Sequence, residues 1–372
     1  MSITDSLLQA YNQTRHTKLQ EPLCFAPFVS LNFDQAGNVR ACCYNVIHPL
    51  GKYPEQSIQE ILTSSATLEL REAIKRKDLS KGCYNCEQQL LSHNFYSVHA
   101  RHFDVLKEKL PEDLGQKPLI LEFEISNVCN LECVMCNGFL SSLIRKNREK
   151  LPPLPFVYDE KFVKELRPLW KNAISARFLG GEPFLNSLYF KMWDDIADEN
   201  PSLAVSITTN ATILTPKVKT VLERLKPTLV ISLDALTPAT YEQIRVNADY
   251  QTVKKNIEYL LEYSRREGRG VDIAVCPMTV NWREIPLLFR WGQEQNLFVN
   301  LNTVLFPDHV SLRKLPKGEL QNIIREYNRE LGQLKNYSPP KVKDSFPVEA
   351  NVKRFESLIA QLEAWRQDVF TT

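Results

Sequence analysis

Between Leu119 and Leu305 the chain alternates six short β-rich runs with amphipathic segments, and this pattern constrains the fold more than any other feature. The runs are LILEFEIS (119–126), SARFLGG (175–181), LAVSITTN (203–210), TLVISLDA (228–235), VDIAVCPMTV (271–280) and FVNLNTVL (298–305). Segments such as EKFVKELRPLWKNA, TPKVKTVLERLK, YQTVKKNIEYLLEYSRREG and REIPLLFRWGQEQ lie between them. Strand alternating with helix implies βαβ units and a parallel sheet. Six such units suit a partial (β/α) barrel or a doubly wound sheet.

The faces of the runs separate these two. A parallel strand covered by helices on both sides is apolar throughout, whereas these carry polar residues at period 2. Glu122, Glu124 and Ser126 share one face. Ser206, Thr208 and Asn210 share another, and Ser232 pairs with Asp234, Asp272 with Cys276, and Asn300 with Asn302. The expectation is a barrel whose lumen holds a ligand, with Glu122, Glu124, Asn300 and Asn302 as candidate substrate ligands. The competing reading places these residues at strand ends facing solvent.

The first 112 residues differ in pattern. NFDQAGNVRACCYN reads as a β-hairpin around Gly37-Asn38, and SIQEILTSSATLELREAIKRK reads as a helix. After the barrel, NYSPPKVKDSFPVEANV reads as a Pro-containing linker into a last helix, KRFESLIAQLEAWRQDVF. The expected domains are 1–112, 113–310 and 311–372. Lys and Arg number 46 against 44 Asp and Glu, a net charge of +2, which gives no argument for nucleic acid or an acidic membrane surface. The N-terminus lacks the apolar core of a signal peptide, and no apolar run approaches the ~18 residues that span a bilayer. The expectation is a cytoplasmic protein.

In a reducing compartment nine cysteines point to metal binding or catalysis rather than to disulfides. Cys129, Cys133 and Cys136, spaced C-x3-C-x2-C, follow the first run at its C-terminal end, where barrels of this kind carry their active sites. Thiolates so close together select zinc or an iron–sulfur cluster. A closed zinc site takes a fourth Cys or His, and the next histidine after Cys136 is His309. A [4Fe–4S] cluster on three cysteines leaves one iron free to coordinate a small molecule.

CNLECVMC resembles the cluster motif of the radical SAM superfamily. Three further segments resemble that family in the right order. FLGGEP ends the second run, TTNAT the third, and ISLDALTPATYEQIR covers the fourth. The resemblance implies a partial (β/α)6 TIM-like barrel and S-adenosylmethionine bound at the open iron. Gly180, Gly181 and Glu182 would hold its ammonium. Asn210, Ser232 and Asp234 would contact cofactor or substrate, and Arg245 would reach the methionine carboxylate. Where the family often has an aromatic residue seating the adenine, this chain has Met135, whose polarizable thioether can substitute.

Upstream, Cys24, Cys42, Cys43, Cys83 and Cys86 form the pattern C…G-x4-C…C-x2-C. It resembles the SPASM/twitch-type auxiliary domain that binds an additional [4Fe–4S] cluster, here placed before the barrel. Cys24, Cys42, Cys83 and Cys86 would close that site, with Cys43 the alternate ligand to Cys42; a four-thiolate zinc site is the other reading. Cys276 is a candidate hydrogen-atom donor or a small buried residue. The six histidines show no metal spacing.

The expected protein is thus α/β, a partial (β/α)6 barrel with a small N-terminal α+β auxiliary-cluster domain and a C-terminal helical extension. The resemblance implies two [4Fe–4S] clusters, S-adenosylmethionine and an electron donor such as flavodoxin or ferredoxin. The expected reaction is hydrogen-atom abstraction from an amino-acid residue in a peptide, leading to a crosslink, epimerisation or oxidation. One rival is a dehydrogenase or epimerase of a sugar or aminocyclitol, favoured by the short stretch before Cys24, which leaves no room for a leader-peptide-binding domain. A second rival is a non-catalytic zinc scaffold.

Overall fold

The computed structural model describes residues 3–110, 112–337 and 346–367. Its contacts divide the chain into two compact units. The first comprises Met1–Asn127, Leu154–Gly181 and Asn186–Val205; the second comprises Val128–Pro153, Glu182–Leu185 and Ser206–Thr372. Nine strands occur among the described residues: β1 Ser30–Phe33, β2 Asn38–Arg40, β3 Gly51–Lys52, β4 Ile120–Phe123, β5 Ser175–Phe178, β6 Ala204–Thr209, β7 Thr228–Ser232, β8 Val271–Val275 and β9 Val299–Leu301. β4 to β9 are the six strands of the (β/α) series, and the fold is the expected α/β partial barrel with a mostly parallel sheet. All six are shorter than their sequence runs. The runs continue past the strands into loops, so Glu124, Ser126, Asn210, Asp234, Cys276 and Asn302 lie just beyond strand ends.

In the first unit the strand order is β3-β2-β1-β4-β5. The hairpin around Gly37 forms as read. Asp34 accepts from the backbone N–H groups of Ala36 and Asn38 at 2.9 and 2.8 Å. Gly37 sits at φ +88°, where a Cβ would meet the Tyr53 carbonyl at 2.2 Å. Sequence reasoning did not anticipate that β1 pairs in parallel with β4, which attaches the hairpin to the barrel strands. The register aligns Phe33, Phe123 and Phe178 on one face and Asn32, Glu122 and Arg177 on the other. The aromatic face stacks, with ring centroids 5.3 Å apart for Phe33–Phe123 and 5.1 Å for Phe123–Phe178. It packs on Phe162 and Trp170 of the helix Glu160–Trp170, and on Tyr189 and Trp193 of the helix Ser187–Glu199. The helix read over SIQEILTSSATLELREAIKRK is in fact two, Ile58–Leu62 and Ser65–Lys75. The break follows from two serine caps: Ser57 forms a capping box with Glu60, and Ser64 accepts from Thr67 N–H.

In the second unit the strand order is β6-β7-β8-β9, parallel throughout. The helix Pro216–Leu225 starts at the Thr215 cap, and the helix Tyr250–Glu267 runs from the Asp249 cap to Gly268 in the left-handed region. Residues 338–345 of the expected linker lie outside the described residues. Its last residues are helical instead, because the final helix already begins at Phe346 and runs to Arg366. Asn351 of this helix is fully buried and acts on the β9 backbone. Its Oδ1 accepts from Val299 N–H at 2.9 Å and its Nδ2 donates to Leu297 C=O at 2.8 Å. A side chain thereby satisfies one donor at the start of the edge strand and one acceptor just before it, groups of the kind that otherwise invite pairing with other chains. No helix among the described residues is long and apolar enough to cross a membrane. Replacing Asn351 by Ala strands a buried donor and a buried acceptor. Stability should fall by about 2–4 kcal/mol, measured as a lower urea midpoint with an unchanged m-value.

Candidate cluster and cofactor sites

In the first unit, Cys24, Cys42, Cys83 and Cys86 line one apolar cavity together with Leu23, Leu70, Ile74 and Phe103. The C-x2-C spacing works because Cys83 caps the helix Tyr84–Leu91 and Cys86 lies in its first turn. Backbone N–H groups point at the sulfurs: Ala26 donates to Cys24 Sγ at 3.4 Å, and Cys86 accepts from Ala100 and His99. Burial first, and mutual repulsion after it, hold Cys24 well above the usual thiol range and raise Cys83 to about 12; burial first also raises Cys42 to about 11. Cys43 does not line this cavity. Its Sγ lies 3.7 Å from His99 Nε2, and its charged neighbours are Glu122, Glu124 and Arg177.

In the second unit, the loop carrying Cys133 runs beside the segment after the helix Pro238–Ile244. Glu132 N–H donates to Val246 C=O and Val134 N–H to Ile244 C=O. That pairing brings Arg245 to Cys133, with Nη1 3.9 Å from Sγ. A hydrogen bond from the Cys136 thiol, and then the Arg245 charge, lower the buried Cys133 thiol against the effect of burial. Cys129 is raised to about 11, because burial outweighs the Leu131 N–H donor and the Arg245 charge. Arg245 Nη2 also lies 2.6 Å from Asp234 Oδ2, a nearly fully buried ion pair. Asp234 Oδ1 accepts from Cys276 N–H at 2.7 Å. Asn281 fastens the same corner, donating to the carbonyls of Asp234 and Cys276 at 2.8 and 3.0 Å. Glu284 then accepts from the N–H groups of Leu236 and Thr237, holding the start of the helix that leads to Arg245.

Glu182 is completely buried. Its carboxylate accepts from Asn210 N–H at 2.7 Å, Thr209 Oγ1 at 2.8 Å and Phe184 N–H at 3.2 Å. Burial outweighs these donors and raises it to about 7. The Asn210 side chain joins Asn130 at 3.1 Å and Thr212 at 2.6 Å. In the first unit, Gly180 at φ +81° packs its backbone on the loop after β4, where a Cβ would meet Ser126 C=O at 2.8 Å. Gly181 follows at φ +54°. Ser232 ends β7, half-buried.

The remaining expected residues separate. Glu122 is buried and accepts from Arg177 Nη1 at 2.7 Å. Glu124 is half-buried and accepts from Asn32 Nδ2 at 3.2 Å. Asn300 lies 3.4 Å from Asp272, and Asn302 is exposed beyond β9. Cys276 packs with Met135 and Val134 against Met278, Val304, Val310 and Ile244. Burial, with Asp234 beside it, pushes its thiol up, so it stays protonated at neutral pH.

The donor sets fit iron–sulfur groups. Four half-buried soft thiols lining an apolar pocket lack a balancing positive charge, which a cationic cluster would supply while converting them to thiolates. Among the described residues, no three His, Cys, Asp or Glu side chains stand close enough to share a single ion. Near Cys133, the buried Arg245 Nε has no partner and suits a carboxylate, while the buried Glu182 carboxyl suits an ammonium.

Comparison with known proteins agrees. The model of the radical SAM superfamily matches residues 123–292, and that of the SPASM iron–sulfur cluster-binding domain matches residues 24–87. The chain carries a radical SAM domain and a SPASM domain. It is 27% identical over 134 residues to the radical SAM cyclopropyl synthase TigE of Paramaledivibacter caminithermalis, covering 33% of this chain and 28% of that protein. It is 26% identical over 208 residues to the GTP 3′,8-cyclase of Bradyrhizobium diazoefficiens, covering 54% and 56%. The matched region thus spans from about a quarter to about half of these relatives' length. Streptococcus suis SuiB bound to S-adenosylmethionine is similar with a TM-score of 0.44 and 17% identity, over 77% of this chain and 65% of that one.

For this radical SAM protein, sequence reading missed Asn281, Glu284, Thr209, Asn32, Arg177 and His99. Arg177 had a signal, since it alternates with Ala176 and Phe178 at period 2. Asn281 and Glu284 had none, because they act from a loop on backbone groups distant in sequence. Glu182 gives a pH test. Its folded value, about 7, exceeds the ordinary 4.5, so its contribution is full below about 4.5 and is lost as pH rises through about 7. In metal-free protein, the stability of wild type relative to Glu182→Gln should fall by up to about 3 kcal/mol between pH 4.5 and 8, read from urea unfolding.

Proposed function

We propose that this chain is a radical SAM oxidoreductase, cytoplasmic, that acts on an amino-acid residue within a peptide. The observation that carries the chemistry is the set of three thiols, Cys129, Cys133 and Cys136, with Arg245 set against Cys133 in the same unit. Bound here, a reduced [4Fe–4S] cluster with S-adenosylmethionine would supply the radical chemistry that removes a hydrogen atom from the substrate. The three cysteines would hold that cluster. Glu182 receives the cofactor's ammonium and the free Nε of Arg245 its carboxylate. Asn210, Ser232 and Asp234 order the strand ends around them. Gly180 and Gly181 keep the turn before Glu182 tight against the β4 loop. Met135 and Cys276 present an apolar wall, and the protonated Cys276 thiol has a hydrogen atom to return. Cys24, Cys42, Cys83 and Cys86 hold the auxiliary cluster, leaving Cys43 free. An electron donor such as flavodoxin or ferredoxin is the expected partner.

The peptide reading rests on the SPASM domain match, by analogy with peptide-modifying enzymes that carry such domains. A small-molecule substrate is the second reading. It is favoured by the matches to GTP 3′,8-cyclases, whose name specifies a nucleotide substrate.

Two measurements test the proposal. Reduced, anaerobically reconstituted enzyme should convert S-adenosylmethionine to 5′-deoxyadenosine, and Cys129→Ala, Cys133→Ala or Cys136→Ala should abolish this. Cleavage that survives these changes would falsify the cluster assignment. Deuterium carried into 5′-deoxyadenosine from labelled peptides, and not from labelled sugars or nucleotides, is the expected sign of the substrate. Separately, Cys42→Ser should lower bound iron from ~8 to ~4 per chain, while Cys43→Ser should leave it unchanged. The reverse result would exchange the two roles.

A further inference from the structure

One face of the first unit's sheet carries a row of polar side chains that satisfy one another only in part. By register, Arg40, Asn32, Glu122 and Arg177 lie side by side across β2, β1, β4 and β5. The opposite face is the aromatic core, so this row is not needed to build the sheet. Glu124 stands one step further along the same face, just past the end of β4. The open side is formed by half-buried Cys43 and His99 and by exposed His102, which meets Arg177 at 3.1 Å.

The charges do not balance. Arg40 is paired with Asp34, and Arg177 with Glu122. Among the described residues Glu124 has no cation within ion-pairing distance; it receives the Asn32 amide at 3.2 Å, and Arg40, already paired with Asp34, acts on it only from further off. Burial raises its carboxyl above the ordinary range. An uncompensated carboxylate in such a place is costly. Two further acceptors beside it are buried without a hydrogen-bond partner: Asn32 Oδ1, on a residue with 0% exposure, and Glu122 Oε2, on one with 1%. The recess therefore holds one surplus negative charge and several unused acceptors. The group that satisfies all of them carries one positive charge and several N–H donors.

We propose that this recess is a substrate subsite for a protonated amine or guanidinium, with Glu124 as the charge partner and Asn32 Oδ1 and Glu122 Oε2 as the flanking acceptors. The inference rests on the reading that a substrate is worked on at these strand ends, and it adds the class of functional group that substrate presents. A lysine or arginine side chain of a peptide carries this chemistry, and so does an aminocyclitol. Asn32 comes from the hairpin of the cluster-binding segment, so that segment contributes to substrate selection directly.

The test uses reconstituted full-length enzyme and calorimetric titration with three probes: Nα-acetyl-lysine methylamide, its Nε-acetylated analogue, and streptamine. Wild type should bind at least one of the two amine probes and bind the acetylated analogue at least tenfold more weakly. Which amine binds distinguishes a peptide from an aminocyclitol. Glu124→Gln should weaken amine binding at least tenfold while raising the melting temperature of the ligand-free protein by ~2–4 °C, because it removes an uncompensated charge. Arg177→Gln, which releases a second carboxylate into the recess, should tighten amine binding. Equal binding of amine and acetylated probes, or an affinity unmoved by Glu124→Gln, overturns the inference. Absence of 5′-deoxyadenosine formation by wild type overturns the functional reading instead, and leaves the binding results to be judged separately.

Discussion

The ion pair between Arg245 and Asp234 is the interaction on which the catalytic corner depends. Both side chains are nearly inaccessible, and each serves two masters. Arg245 faces Cys133 as well as Asp234; Asp234 receives the Cys276 backbone as well as Arg245. Three loops that follow different strands are thereby tied to one pair of charges. Desolvation makes such a pair a weak source of stability, while leaving either partner alone is costly. The pair is best understood as a device of position, fixing where a thiolate, a guanidinium and a thiol stand relative to one another. Asn281 and Glu284 support it through backbone groups only, so they hold the loops without adding charge.

The two sets of cysteines illustrate opposite uses of one side chain. Around Cys24, burial and mutual repulsion raise the thiols, and nothing cationic is at hand, so the metal group must provide the compensating charge. Around Cys133, the protein supplies its own cation, and the Cys136 hydrogen bond together with the Arg245 charge lowers one thiol. The first arrangement suits a site completed by its four thiolates. The second suits one in which a further ligand joins the metal group beside a guanidinium with a donor to spare.

Much of this was legible in the sequence because it depends on period and spacing. The six β/α units, the Asp34–Gly37 turn, both cysteine groups and the GGE turn all arise from neighbours in the chain. What was hidden depends on register between distant segments. Nothing local shows that Ser30–Phe33 pairs in parallel with Ile120–Phe123, so Asn32 could not be placed beside Glu122 and Glu124. The split of the 57–77 helix was visible in principle, since Ser57 and Ser64 each stand three residues before the N–H they cap. The extension of the last helix back to Phe346 was obscured by Pro347, which is tolerated in a first helical turn. Strand ends were overextended throughout, because the functional residues continue the alternation after the ladder has stopped.

The Asn351 clasp carries a consequence for biosynthesis. A ribosome completes β9 about 50 residues before it delivers the side chain that covers that strand's edge, several seconds at ordinary elongation rates. During that interval the nascent barrel exposes Val299 N–H and Leu297 C=O, together with the apolar surface that the final helix buries. The chain is then most vulnerable to pairing with its neighbours. Docking of the last helix is thus the event that covers Val299 N–H and Leu297 C=O.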